Sequence, residues 1–205
     1  ENCYLLSLDG TGYFSSNKVH CPSCLRRVSG SGEVTWHHQM LGAALVHPDL
    51  KEVIPLCPEP IIQQDGHTKN DCERNAARRF LAAFRRDHPH LPVIVVEDGL
   101  SSNGPHIRDL VDHRMHFILG VQPGDHRALF EHVGLRESVG AVTHVTIRDQ
   151  DPKSDRQHLI TIVPDVHLNE SHPDLRVTFV RYTEWIPSTN PTRTFTWVTD
   201  LKVHP

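Results

Sequence analysis

Two aspartates stand where apolar runs of the sequence stop, at widely separated places in the chain. Asp9 follows the run YLLSL at residues 4–8, and Asp98 lies just after the run PVIVV at residues 92–96, which stops at Glu97. The carboxyl ends of neighbouring strands converge on one crevice, and carboxylate oxygens there suit Mg²⁺ or Mn²⁺. A paired-metal site of this kind activates water and stabilises a leaving oxygen in phosphoryl transfer. The alternative is that each Asp-Gly step forms an ordinary turn.

A second group of reactive residues is the CPSC sequence at residues 21–24. Cys21 and Cys24 could supply two thiolates to a structural Zn²⁺, but such a site needs four ligands and no second CxxC exists. The residues that could complete it are His20, His37, His38, Cys57 and Cys72. A strand beside the knuckle favours His38, and Cys72, at the start of a helix, is the other thiol. The alternatives are two reduced cysteines in a hairpin or, less favoured, a redox motif.

Basic and aromatic residues suggest a surface for nucleic acid. Six of them lie on one helix and its approach: Lys69, Arg74, Arg78, Arg79, Arg85 and Arg86. Such groups neutralise phosphates, although a solvated helix face has the same pattern. Trp185 and Trp197 could stack on an extruded base, and the alternative for each is a place in the core.

The elements that must position these residues alternate between helix and strand. Ala77, Phe80, Leu81 and Phe84 recur with helical spacing, which predicts a helix from an Asn70/Asp71 cap to a point before Pro89. Apolar runs predict buried strands at residues 4–8 and 92–96, the first ending in a turn at Asp9. Residues 34–46 and 53–56 would form further strands, followed after residue 105 by helix, strand and helix. Four short strand-like runs after Gly140 predict an antiparallel segment. The fold class is therefore α/β.

Composition excludes several classes of protein. The chain has 205 residues, and 21 Lys and Arg against 25 Asp and Glu give a net charge of −4. No apolar run approaches the roughly 20 residues that cross a bilayer. Five cysteines, an odd number, argue for reduced thiols rather than a disulfide framework. We therefore expect a cytoplasmic protein with no membrane partner. The seventeen histidines show no further ligand-like spacing.

Four motifs in order resemble those of bacterial insertion-sequence transposases of the DDE class. They are LDGTGYFSS at residues 8–16, HCPSC at 20–24, GHTKNDCE at 66–73 and VEDGL at 96–100. The resemblance implies a ribonuclease H-like mixed sheet flanked by helices, with Asp9 and Asp98 as two of three acids that hold two Mg²⁺ or Mn²⁺ ions. It also implies a catalytic core beginning in residues 1–139 and a β-rich insertion at 140–205, with the core completed beyond this sequence.

The implied activity is cleavage of DNA at transposon ends, followed by attack of the freed 3′-hydroxyl on target DNA. The implied partners are transposon-end and target DNA and a second copy of the enzyme, in the bacterial cytoplasm or nucleoid. The family's third acid is a Glu on a helix after the insertion, and Pro205 precedes any such helix; Glu184 lies among strand-like residues. We therefore expect a fragment that does not complete transposition alone. The alternatives are a ribonuclease H-fold nuclease without strand transfer and a non-catalytic DNA-binding remnant.

Overall fold

The computed structural model describes residues 3–62, 73–99, 101–149, 155–186 and 192–204. Strands outnumber helices, and the α/β class expected from the sequence is confirmed. Contacts divide the chain into a first unit, Glu1–Val96 with Asp109–Met115, and a second unit, Glu97–Arg108 with His116–Pro205. These limits differ from the expected 1–139 and 140–205, and that domain division stays a prediction.

The first unit contains a mixed sheet built around two long strands. Its strands are β1 (Tyr4–Ser16), β2 (Leu25–Val28), β3 (Val34–Val46), β4 (Ile54–Pro55), β5 (Glu59–Ile61) and β6 (Val93–Glu97). The order is β2-β3-β1-β6, with β4 and β5 paired to β3. The strands β1 and β3 are antiparallel, whereas β1 and β6 are parallel. This combination gives the unit its mixed character.

One helix covers this sheet and adds apolar side chains to its core. Helix α1 spans Glu73–Asp87 and contacts β3 and β5. Its buried residues are Ala76, Ala77, Phe80, Leu81 and Phe84. The strands add alternating buried positions, such as Leu6 and Leu8 on β1. Each large side chain contributes roughly 1.5–3 kcal/mol by leaving water. The predicted helix is confirmed, while its expected Asn70/Asp71 cap lies outside the described residues.

The second unit contains an antiparallel sheet and the remaining helices. Its elements are β7 (His116–Gly120), α3 (Arg127–Ser138), β8 (Thr143–Arg148), β9 (Gln157–His167), β10 (Arg176–Trp185) and β11 (Thr192–Thr199), together with the part of α2 (Gly104–Asp112) that ends at Arg108. The strand order is β7-β11-β10-β9-β8, so the four strands after Gly140 continue the sheet that β7 begins. Helix α3 packs against β9. The antiparallel pairing of the four strands after Gly140 agrees with the sequence pattern.

The expected end of the first strand is wrong. The strand β1 does not turn at Asp9 but continues to Ser16, because β3 pairs with it along this whole length, as far as Ser16 opposite Trp36. An irregularity in the register between Gly12 and Phe14 interrupts the ladder without ending it. Asp9 therefore lies inside a strand. None of the helices in the described ranges is long and apolar enough to span a membrane.

Candidate functional site

Asp9 projects from the middle of β1 at an exposed position. The neighbouring Leu8 is 3% exposed, and Gly42 of β3 lies opposite Asp9 in the antiparallel register. Parallel pairing of β1 with β6 covers Tyr4 to Ser7 and ends there. Asp9 thus lies just past the carboxyl end of the parallel ladder, the edge at which ligands bind in open α/β sheets.

A second carboxylate approaches the backbone directly after Asp9. The N–H of Gly10 donates a hydrogen bond of 2.9 Å to Oε1 of Glu73, the first residue of α1. A Cβ at position 10 would lie 2.4 Å from Oε2 of the same carboxylate. A methyl group here would displace the end of the Glu73 side chain, so Gly10 permits the close approach of this carboxylate.

Ion pairs and hydrogen bonds fix α1 over the sheet and so position Glu73. Arg79 of α1 pairs with Glu59 of β5, with 2.7 Å between Nε and Oε1, and donates a second hydrogen bond of 2.9 Å to the carbonyl of Pro60. Arg78 pairs with Asp109 at 2.9 Å but is 59% exposed. Arg79 therefore joins the helix to the strand beside it, while Arg78 lies on the surface.

The far end of α1 is held by a single arginine. Arg85 donates hydrogen bonds to the carbonyl oxygens of His113 at 2.7 Å, Leu91 at 3.0 Å and Arg114 at 3.2 Å. Burial, and then the positive charge of Arg114, lowers the pKa of Arg85 from its ordinary value. Arg85 is thus engaged in structure rather than presented to a phosphate.

Asp98 follows β6 in a short loop, and hydrogen bonds within the second unit fix the residues on both sides of it. Asp98 is exposed, whereas the preceding Glu97 is buried and lies 2.5 Å from Nε2 of His106. The hydroxyl of Ser102 donates to the carbonyl of Gly99 at 2.8 Å and lies 2.7 Å from Nε2 of His126. Because the Ser102 proton is engaged, His126 is the donor in that contact. Burial lowers the pKa of His126, and the charge of Asp125 partly opposes this.

The other residues predicted to contact DNA lie in different surroundings. Arg74 is exposed near the start of α1, and Lys69 lies outside the described residues. Trp197 is half-buried on β11 and stacks on Phe195, with ring centroids 6.0 Å apart and planes at 15°. Phe195 is 50% exposed. The DNA-binding role of Arg74, Arg78, Arg79 and Trp197 stays a prediction.

The potential metal ligands fall into two chemical sets. Cys21, Cys24 and His38 are, within the described ranges, the one group of three or more such side chains whose ligand atoms lie within 4.8 Å of one another. Asp9 and the Glu73 carboxylate, by contrast, flank Gly10 and offer oxygen atoms, which fit Mg²⁺ or Mn²⁺. Sharing of a metal by Asp9 and Asp98 stays a prediction.

Sequence reasoning did not single out Glu73, because the family resemblance implies a Glu on a helix after the β insertion. Two signals were present: a Glu at the start of the clearest helix, and a glycine after Asp9 in a strand that had no need of a turn. Cys57, one of the zinc candidates, is exposed, and its thiol contacts the carbonyl of Pro58 at 3.9 Å. Cys72, a second zinc candidate, lies outside the described residues.

Comparison with known proteins does not identify the chain. No family model matches the sequence, and no curated protein matches it. One similar solved structure is the NurA nuclease from Sulfolobus solfataricus, with 13% sequence identity and a TM-score of 0.39 over 100% of this chain and 70% of that chain. A likeness this weak supports no conclusion about fold or function. The resemblance to insertion-sequence transposases therefore stays a prediction.

Proposed function

We propose that the chain belongs to an enzyme that cleaves phosphodiester bonds in DNA with the help of divalent metal ions. The observation that carries this proposal is the hydrogen bond of 2.9 Å from the Gly10 N–H to the Glu73 carboxylate. It brings an acid from the first helix to the residue that follows the exposed Asp9. Two carboxylates at the carboxyl end of a parallel strand pair form the core of a site for hard cations.

The chain's own residues perform three tasks in this site. Asp9 and Glu73 would hold Mg²⁺ or Mn²⁺ through carboxylate oxygens. The Gly10 amide orients Glu73, and the missing side chain at position 10 permits its approach. When bound, the ion supplies a water of lowered pKa and neutralises charge on the phosphate and its leaving oxygen.

Asp98 is the third acid of the proposal. The transposase resemblance assigns it, with Asp9, to the metal ligands, and like Asp9 it is exposed and precedes a glycine. The proposal therefore names Asp9, Glu73 and Asp98 as the acids whose replacement tests it.

The transposase resemblance adds strand transfer to this activity. Cleavage and joining are both in-line displacements at phosphorus and use the same metal ligands. A second copy of the chain would be needed to act on two transposon ends. Strand transfer rests on the four sequence motifs, whereas cleavage also rests on the placement of Glu73. We therefore propose cleavage first and strand transfer as its extension in a DDE transposase with a ribonuclease H-like core.

The test measures Mn²⁺ binding and DNA cleavage by the 205-residue chain. We expect Asp9→Asn, Glu73→Gln and Asp98→Asn each to weaken Mn²⁺ binding and nicking of plasmid DNA by at least about 100-fold, since even partners of metal ligands are worth about 10–100-fold. Asp49→Asn is the matched control, because Asp49 is an exposed loop acid.

Each outcome of this test has a defined meaning. Equal Mn²⁺ binding by the wild type and all three variants would refute the proposal. Mn²⁺ binding without nicking would refute the cleavage activity and favour a non-catalytic DNA-binding remnant. Nicks without joined products, on DNA that carries transposon-like ends, would favour a nuclease over a transposase.

A further inference from the structure

The turn before β2 and the middle of β3 bring two thiols and an imidazole together. Sγ of Cys21 and Sγ of Cys24 lie 3.8 Å apart, and Nε2 of His38 lies 3.3 Å from each sulfur. We propose that these three side chains bind one Zn²⁺, with a fourth position open to solvent, and that this ion orders the connection between β1 and β2. The site uses none of the acids of the proposed function.

The distances fit a zinc site and not a disulfide. Zn–S bonds of about 2.3 Å and a Zn–N bond of about 2.0 Å at tetrahedral angles place two sulfurs about 3.8 Å apart and sulfur about 3.5 Å from nitrogen. The sulfurs of Cys21 and Cys24 have this separation. A disulfide needs about 2.05 Å. The two thiols are therefore arranged around a common centre instead of facing each other as bonding partners.

Backbone hydrogen bonds preform the turn. The N–H of Cys24 donates to the carbonyl of Cys21 at 3.1 Å, and the N–H of Cys21 donates to Sγ of Cys24 at 3.3 Å. An N–H donor stabilises the negative charge that a thiolate carries as a metal ligand. The CPSC segment thus holds its sulfurs in a ligand geometry through its own backbone.

Neighbouring rings orient the third ligand. The imidazole of His38 stacks on the ring of Tyr13, with ring centroids 5.7 Å apart and planes at 14°. It also lies beside the ring of Phe14, with centroids 5.6 Å apart. Pairing of Leu25 with His37 sets the register of β2 on β3, and so brings the CPSC turn beside His38. The position of His38 is therefore fixed by two strands and does not depend on the metal alone.

Burial indicates the role of the ion. Cys24 is buried, His38 is half-buried and Cys21 is exposed, so the site is closed on one side and open on the other. Residues 17–24 make no strand pairs, and the N–H groups of Lys18 and Val19 share the Ser16 hydroxyl. A metal that ties Cys21 to β3 would order this segment, since binding energy at such a site becomes folding energy.

The experiment measures zinc bound to the 205-residue chain, purified with reductant. We expect one Zn²⁺ per chain by elemental analysis, and a thiolate-to-metal charge-transfer band when Co²⁺ replaces it. Cys21→Ser and His38→Gln should each weaken Zn²⁺ affinity by at least about 100-fold, as judged against losses of 10–100-fold for partners of ligands. Cys57→Ser and His37→Gln are matched controls from the same unit and should bind Zn²⁺ as the wild type does.

Circular dichroism and hydrogen exchange complete the test. Cys21 is exposed, so its variant avoids the folding defect that replacement of the buried Cys24 risks; circular dichroism checks the fold. Removal of zinc should increase hydrogen exchange in residues 17–24 and leave α1 unchanged. Equal zinc binding by wild type and Cys21→Ser, or a Cys21–Cys24 disulfide in the reduced preparation, would overturn the proposal. Loss of Mn²⁺ binding in Glu73→Gln leaves it untouched.

Discussion

The β1/β3 ladder carries two groups of potential metal ligands with opposite chemistry. Around Gly10 the donors are carboxylates, of which Glu73 comes from a helix 63 residues away in sequence. At Phe14, roughly 13 Å further along β1, the partner strand presents His38 to the two thiols of the CPSC turn. The ligand types select different ions, because hard oxygens suit Mg²⁺ or Mn²⁺ and thiolates suit Zn²⁺.

The two groups also differ in how the fold assembles them. Two of the three zinc-site residues lie within one turn, and the third comes from the neighbouring strand of the same meander. The carboxylate group depends instead on a helix docked across the sheet and on a glycine that makes room. A local motif can thus preform a site by itself, whereas the acid site depends on long-range packing.

The largest expected effect is a crossover in metal preference. Replacing Cys21 by Ser and His38 by Gln together should lower Zn²⁺ affinity by about 1,000-fold or more, since structural zinc contributes about 10–16 kcal/mol through such ligands, and should change Mn²⁺ affinity less than twofold. Asp9→Asn should instead lower Mn²⁺ affinity and leave Zn²⁺ affinity nearly unchanged. Isothermal titration of both variants with both metals measures this, and parallel losses of both metals would show that the two groups are not independent.

The second largest effect should come from one methyl group added at position 10, which should weaken Mn²⁺ binding and leave Zn²⁺ binding unchanged. In Gly10→Ala the new Cβ meets the Glu73 carboxylate, so we expect Mn²⁺ affinity to fall by at least about 10-fold while zinc content stays at the wild-type level. Gly12→Ala is the control, because the nearest atom to a Cβ there is the His38 carbonyl oxygen at an ordinary 3.8 Å. Equal effects of the two substitutions on Mn²⁺ would count against the role of Gly10.

Docking of α1 should depend more on Arg79 than on Arg78. Arg79→Leu removes a partly buried ion pair with Glu59, and we expect a loss of about 1–2 kcal/mol in the free energy of unfolding. Arg78→Leu should cost at most about 0.5 kcal/mol, because Arg78 is mostly exposed. Urea denaturation of the two variants gives the comparison, and a larger loss for Arg78→Leu would contradict it.

The smallest expected effect concerns pH and the loop after Asp98. Burial depresses the pKa of His126 in the folded chain, so the unfolded chain binds its proton more readily. The neutral His126 therefore contributes its full stability above the pKa of about 6.5 that it has in the unfolded chain. This stability is lost as the pH falls from about 6.5 towards the lower pKa that His126 has in the folded chain.

Thermal unfolding at pH 7.5 and 5.5 measures this contribution. We expect the wild type to lose more in Tm between these values than His126→Asn does, with zinc content equal in both at pH 7.5. His90→Asn, a change at an exposed histidine, is the control for the general effect of losing an imidazole. A steeper pH dependence in His126→Asn than in the wild type would contradict the assigned direction.

Much of the secondary structure follows from local pattern. The spacing of Phe80, Leu81 and Phe84 predicts α1, and the run before Glu97 predicts β6, because burial of one face or of a whole strand imposes these periods. The continuation of β1 beyond Asp9 was not predictable in this way. Gly10 and Gly12 signal a turn in isolation, and only the pairing with β3 keeps them extended.

The amino-acid sequence by itself determined the two thiols of the knuckle and the favoured histidine, because a CxxC turn is local and His38 lies one strand away. Only the tertiary structure decided that Glu73 reaches Gly10, because residues so distant in sequence meet through helix docking, which no local period encodes. The same holds for the buried pair of Glu97 and His106, whose contact depends on where α2 packs. Sites made of residues close in sequence can thus be predicted from the sequence, whereas contacts between distant residues depend on how the elements pack.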